Sequence, residues 1–248
     1  FRSISKFEKD KETLNYWFTP FEADSLNFIV STENFLDSVT IKLRKNEIDT
    51  LNIKPTVNGS FDLRDTLFFT SNNPIVKIDT TKISLFDKDT IAVKFTTILS
   101  LKENKIAILF DKQPENTYNF LALPTTFEDV YAFKNDSIKV RLKTKELEDY
   151  GKITLNVQNS KEKNVIVELL DDKFKFIERK IIDKTSQVIL DLLPPKKYQI
   201  RFIIDANNNN KWDTGNLLEK KLPEEIINYP EVFTIRANYF VNENFIIN

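Results

Sequence analysis

The chain has no cysteine, no histidine, no methionine and three glycines among 248 residues. The first two absences remove thiol nucleophiles, disulfides, thiolate and imidazole metal sites, and every Ser-His or Cys-His catalytic pair. Only carboxylate, lysine, tyrosine and hydroxyl chemistry remains. Without any methionine, even at Phe1, the chain is expected to begin inside a longer gene product or after a removed leader. Apolar runs stop at four or five residues, far from the roughly 20 needed for a membrane helix. Charge of one sign is also lacking: 36 basic against 37 acidic residues leave a net −1, so no overall field gathers nucleic acid or anionic lipid. With Gly59, Gly151 and Gly215 as the whole glycine complement, asparagine and aspartate are expected to occupy most turn positions of positive φ.

What is present is strand-forming. Hydrophobic residues make up 41% of the chain and include 21 Phe, enough for several packed cores. Short apolar/polar alternations rich in β-branched and aromatic residues recur at 26–30, 39–43, 83–86, 91–95, 106–110, 118–123, 138–142, 153–157, 165–170, 187–190, 198–204 and 233–240. Their spacing, with Asn, Asp and Pro between them, predicts an all-β protein of tandem antiparallel Ig-like or prealbumin-like β-sandwiches rather than βαβ units. An internal echo, Asp37–Arg44 against Asp136–Leu142, is either a domain-length repeat or a coincidence in a β-rich, Lys-rich chain. Used as a guide, it divides the chain into 1–56, the C-terminal part of a sandwich module; 57–142, an Ig-like sandwich; and 143–248, a prealbumin- or Cna-B-like sandwich. About 56 residues do not enclose a sandwich core, so exposed strand edges are expected in the first unit.

One constellation carries chemistry. In the segment Asp205–Asp213, oxygen side chains fall at relative positions 1, 3, 5 and 9 (Asp205, Asn207, Asn209, Asp213), and the Lys211 carbonyl falls at position 7. A tightly coiled loop turns alternate oxygens inward, and Ca²⁺ takes six to eight of them. Position 6 is Asn210 instead of glycine, and Asn tolerates positive φ best among the other residues. Position 12 is Asn216 instead of a bidentate Glu, and Glu219 lies three residues too late, so the expected affinity is modest. The alternative is a polar, Asn-rich turn that holds no ion.

The run Tyr198–Asp213, Thr214-Gly215-Asn216, Pro230-Glu231 and Ile235–Asn238 resembles the C-terminal end of Ig-like-domain surface lipoproteins of Gram-negative bacteria. In that family SbsA-type Ig-like modules precede a prealbumin- or Cna-B-like sandwich. Residues 13–18 and 74–83 are similar to phrases in the middle modules of those proteins. The family usually has glycine at the positions of Asn208 and Asn210. The resemblance implies an exported, outer-membrane or cell-surface protein, with the periplasm as the alternative location. It further implies a lipid anchor upstream in place of a transmembrane segment, envelope proteins as partners and no catalytic activity.

Other candidates are weaker. Glu146, Glu148 and Asp149 could pair carboxylates for glycoside hydrolysis, against a solvated linker. Tyr16, Trp17, Phe18 and Phe21 could form a carbohydrate platform, against alternate burial in a core. Asp171-Asp172-Lys173 reads as a hairpin turn. Two functions follow: a non-catalytic structural and interaction subunit with a calcium-stabilised C-terminal module, or an adhesin-like module binding extracellular glycan or peptide.

Overall fold

The computed structural model describes residues 3–8, 13–19, 22–43, 49–100, 103–160 and 163–247. The chain divides into two compact units, Phe1–Thr144 and Lys145–Asn248. Helix among the described residues amounts to two single 3-10 turns, Thr80–Lys82 and Leu147–Asp149. The rest of the regular structure is strand, as the period-two pattern requires.

The first unit begins with two separate hairpins. β1 (Ser3–Glu8) pairs with β2 (Thr13–Phe18), and β3 (Ser25–Thr32) with β4 (Phe35–Lys42). No residue of β4 is buried. A sandwich follows, made of β5 (Ile53–Pro55), β6 (Gly59–Phe61), β7 (Leu67–Ser71), β8 (Ile75–Ile78), β9 (Ile83–Phe86), β10 (Phe95–Ser100), β11 (Lys105–Phe110), β12 (Thr117–Ala122), β13 (Phe127–Asp129) and β14 (Ile138–Thr144). Sheet β10-β11-β7-β5 faces sheet β6-β14-β12-β9, while β8 and β13 form a separate ladder. Alternate residues Leu67, Phe69, Ile106 and Ile108 meet Leu85, Tyr118, Phe120, Val140 and Leu142 in the core. The Phe69 and Phe120 rings lie 4.9 Å apart. β5 pairs with β7, so residues 53–55 belong to this sandwich.

The second unit comprises β15 (Gly151–Asn159), β16 (Asn164–Asp171), β17 (Phe176–Ile182), β18 (Ser186–Leu193), β19 (Lys197–Asp205), β20 (Ile226–Asn228), β21 (Phe233–Thr234) and β22 (Phe240–Ile247). Sheet β18-β15-β22 packs on sheet β17-β16-β19-β20, with β21 also on β19. Ile153, Leu155 and Val157 of β15 close the core against Val165, Val167, Ile200 and Phe202. Among the described residues one ladder in each unit is parallel, β6 with β14 and β15 with β22.

Two segments read as single strands take other forms. Asp87 Oδ1 accepts from the amides of Asp89 and Ile91 at 2.9 and 2.8 Å, which folds residues 87–91 into a turn and delays β10 to Phe95. Phe233–Phe240 is split: Phe233 and Thr234 pair with β19, whereas Phe240 pairs with Lys152 in the opposite sheet. The chain changes sheets between them. It passes so close to Gly151 that a Cβ there would lie 2.7 Å from the Tyr239 carbonyl oxygen. Only glycine leaves room for this crossing.

Candidate functional site

The Asp205–Asp213 loop leaves the end of β19 at its most buried point. Asp205 has no exposed surface, and its two oxygens are occupied by backbone: Oδ1 accepts from Asn209 N–H at 3.1 Å and Oδ2 from Asn210 N–H at 2.8 Å. Asn207 Oδ1 accepts from Asn209 N–H at 3.1 Å, and Asn209 Oδ1 from Lys211 N–H at 2.8 Å. These side-chain turns coil the loop with the spacing read from the sequence. Asn208 and Asn210 take φ of 60° and 61°, the conformation Asn was expected to supply in place of glycine.

The side chains of Asn207, Asn209 and Asp213 converge. Asp213 Oδ2 accepts from the Nδ2 groups of both asparagines, the latter at 2.8 Å. A cation among these groups would replace the two amide N–H donors as the positive charge facing Asp213. Amide nitrogen and oxygen are nearly isosteric, so turning each amide through 180° presents oxygen without steric cost. The exchange gives up the side-chain turns at Asn207 and Asn209. Among the described residues, no three carboxylates or other His, Cys, Asp or Glu groups come together as a metal site. An ion here would meet the Asp213 carboxylate and otherwise depend on amide and carbonyl oxygens. For Lys211 the structure places the amide, on Asn209, inside the loop.

Two supporting residues have no signal at loop spacing. Glu224, beyond the 214–222 turn, accepts from Ala206 N–H at 2.8 Å and Asp213 N–H at 3.1 Å, tying both ends of the loop together. Its carbonyl also accepts the Trp212 indole N–H at 3.1 Å. Arg179 of β17 donates from Nη1 to the Asn210 carbonyl at 2.8 Å, and from Nη2 to Glu168 at 2.7 Å. Arg201 of β19 holds the other Glu168 oxygen at 2.7 Å through Nε. The loop is therefore braced to a buried carboxylate in the middle of the sheet. Glu219 borders the same open polar depression of about 540 Å³ as Asn207, Asn209 and Asp213. Asn216 Oδ1 is used locally, accepting from the amides of Leu218 and Glu219.

The remaining candidates are dispersed. Glu146 and Asp149 cap the 3-10 turn at the start of the second unit, with Glu146 N–H on Asp149 Oδ2 at 3.1 Å. Tyr16 and Phe18 share one face of β2, where Tyr16 meets Phe28 of β3 edge-on at 5.2 Å; Trp17 points to the other face and is half-buried. Phe21 lies outside the described residues.

No family model matches the chain, and no curated protein matches it either. Among solved structures, a fragment of native alpha-2-macroglobulin from Escherichia coli spanning domains MG0-NIE-MG1 is similar at 12% identity, over 75% of this chain and 77% of that one, with a TM-score of 0.34. BcpA, the major pilin subunit of Bacillus cereus, matches at 12% identity over 94% and 79%, TM-score 0.29. The T6 backbone pilin of serotype M6 Streptococcus pyogenes matches at 11% identity over 80% and 55%, TM-score 0.25. Superpositions this loose carry no argument about function.

Proposed function

We propose that this chain is a non-catalytic structural and interaction module of the bacterial cell envelope, an accessory subunit of an outer-membrane assembly anchored through lipid upstream of these residues. Calcium in the Asp205–Asp213 loop stiffens its C-terminal sandwich. The observation that carries the reading is the apolar surface left in water by the β3–β4 hairpin. Ile29 and Leu36 are 74% and 75% exposed, and Phe35, Val30 and Ile41 are at least half exposed. Isolated exposed leucines are ordinary, whereas such a concentration on one element marks a protein contact. A second concentration, Leu217, Leu218 and Leu222, lies on the turn beside the oxygen-rich loop. The sequence resemblance to envelope lipoproteins supports the setting.

The test has two arms. Affinity isolation from envelope membranes should retain stoichiometric membrane-protein partners with the parent chain and lose them with Ile29→Ser/Leu36→Ser, whose sites are too exposed to affect folding. Retention of the same partners by the double variant would overturn the interaction reading. Separately, Ca²⁺ should raise the melting temperature over that in EGTA by mass action, and Asp213→Ala should remove the difference. Superimposable melting curves with and without chelator would reject the ion.

A further inference from the structure

The outer face of sheet β18-β15-β22 is built differently from the rest of the surface. Its core-facing residues alternate with outward Lys152, Thr154, Asn156 and Gln158 on β15, and the strand register sets Gln187 and Ile189 on one side and Phe240, Asn242, Asn244 and Ile246 on the other. Four amides join into a row across all three strands. Gln187 Nε2 donates to Asn156 Oδ1 at 3.0 Å, and Asn156 Nδ2 donates to Asn242 Oδ1 and Asn244 Oδ1 at 3.2 and 3.1 Å. Among the described residues the row ends with Gln187 Oε1 as an acceptor, and with the Nδ2 groups of Asn242 and Asn244 as donors, that no protein group engages. A groove of about 440 Å³ runs over Asn156, Gln187, Asn244 and Ile246.

We propose that this face binds a neutral polysaccharide chain. The occupant follows from the chemistry of the face. Among the described residues its formal charges are Lys152 and Asp191, at the Phe240 end, so the amide row itself carries no charge to collect phosphates or to pair with an anionic glycan. Protein-binding patches favour Trp, Tyr, Phe, Met and Arg, and of these the described residues of this face carry Phe240 alone, at one end of the edge strand β22. Side-chain amides both donate and accept, which matches sugar hydroxyls that do the same. The exposed flanks of Ile246, Ile189 and Phe240, at 53%, 40% and 67%, suit the C–H faces of sugar rings. Three strands make a platform about 10 Å wide, across which an extended chain can follow the row. This surface shares no residue with the Tyr16–Phe18 segment or with the oxygen-rich loop, so it stands or falls independently of the calcium reading.

Affinity electrophoresis of the full chain, in native gels containing laminarin, xylan, mannan or alginate, tests the proposal. Expected is retardation by at least one neutral polymer, unchanged by EGTA, with at least a tenfold loss of affinity in Asn156→Ala/Gln187→Ala at an unchanged melting temperature. If that pair lowers the melting temperature, Asn244→Ala on the outermost strand supplies the same readout and should also lose affinity at least several-fold. Mobility unaffected by every neutral polymer, retardation undiminished in these variants, or preference for alginate would overturn it. So would concentration-dependent self-association in sedimentation that the double variant abolishes, which would assign the face to a second copy of the chain.

Discussion

Asp87, Asp129 and Asp171 do the same job in three different hairpins. Each Oδ1 accepts from the amides two and four residues ahead, at 2.8–2.9 Å, and the residue three ahead (Thr90, Ala132 or Phe174) is held at φ between 60° and 67°. Among the described residues this corrects the expectation that Asn and Asp would themselves occupy most positive-φ positions: Asn accounts for four of the eleven non-glycine cases there and Asp for none. The aspartate instead closes the turn from outside and imposes the conformation on whatever follows. The amide of Lys175, foremost, and that of Lys173 hold the Asp171 carboxyl below its ordinary 3.8 against the opposing effect of desolvation. The unfolded chain lacks these donors, so the contribution is complete above the unfolded value and disappears as pH falls through the folded one. Asp171→Asn should therefore lower the melting temperature at pH 7, with the gap from the parent closing as the pH falls below the ordinary 3.8 and through the lower folded value. A gap independent of pH would show that the hydrogen bonds do not need the charge.

Among the elements, β16 departs furthest from its sequence pattern. Val165–Leu170 reads as a half-buried strand, yet both of its faces are buried, and Glu168 has a side chain only 3% exposed. Arg179 and Arg201 stand directly across from it on the two neighbouring strands, a cross-strand placement that separations of 11 and 33 residues do not reveal. Glu168→Ala leaves two guanidiniums without their counter-charge. Because both arginines are about a third exposed, the cost falls below that of a fully buried pair, at about 2–3 kcal/mol. Urea unfolding should show this as a lower midpoint with an unchanged slope; a loss under about 0.5 kcal/mol would mean that the pair is no stronger than a surface salt bridge. The echo between residues 37–44 and 136–142 carries a related lesson. Residues 37–42 of the first copy lie in an exposed two-stranded hairpin, and the second is an inner strand of a four-stranded sheet with Val140 and Leu142 buried. Alternation specifies a strand and its two faces, but not which neighbours cover them.

For the molecule as a whole, the contact boundary between Thr144 and Lys145 gives the second unit its own core, its own capped start and the oxygen-rich loop. Residues 145–248 expressed alone should fold to a β-rich domain with one cooperative unfolding transition, and any calcium shift of the full chain should reappear in this fragment. A fragment with no cooperative transition would show that the core of the second unit is incomplete without the first. All-β architecture, the turn-rich spacing and the coiling of the Asp205–Asp213 loop were legible in the amino-acid order, because period-two alternation and Asx turns act over a few residues. The bracing of that loop by Glu224 and Arg179, the change of sheet between Thr234 and Phe240, the burial of Glu168 and the amide row from Gln187 to Asn244 were settled only by tertiary structure. Each depends on which strands become neighbours, and strand pairing joins residues whose separation along the chain carries no period to read.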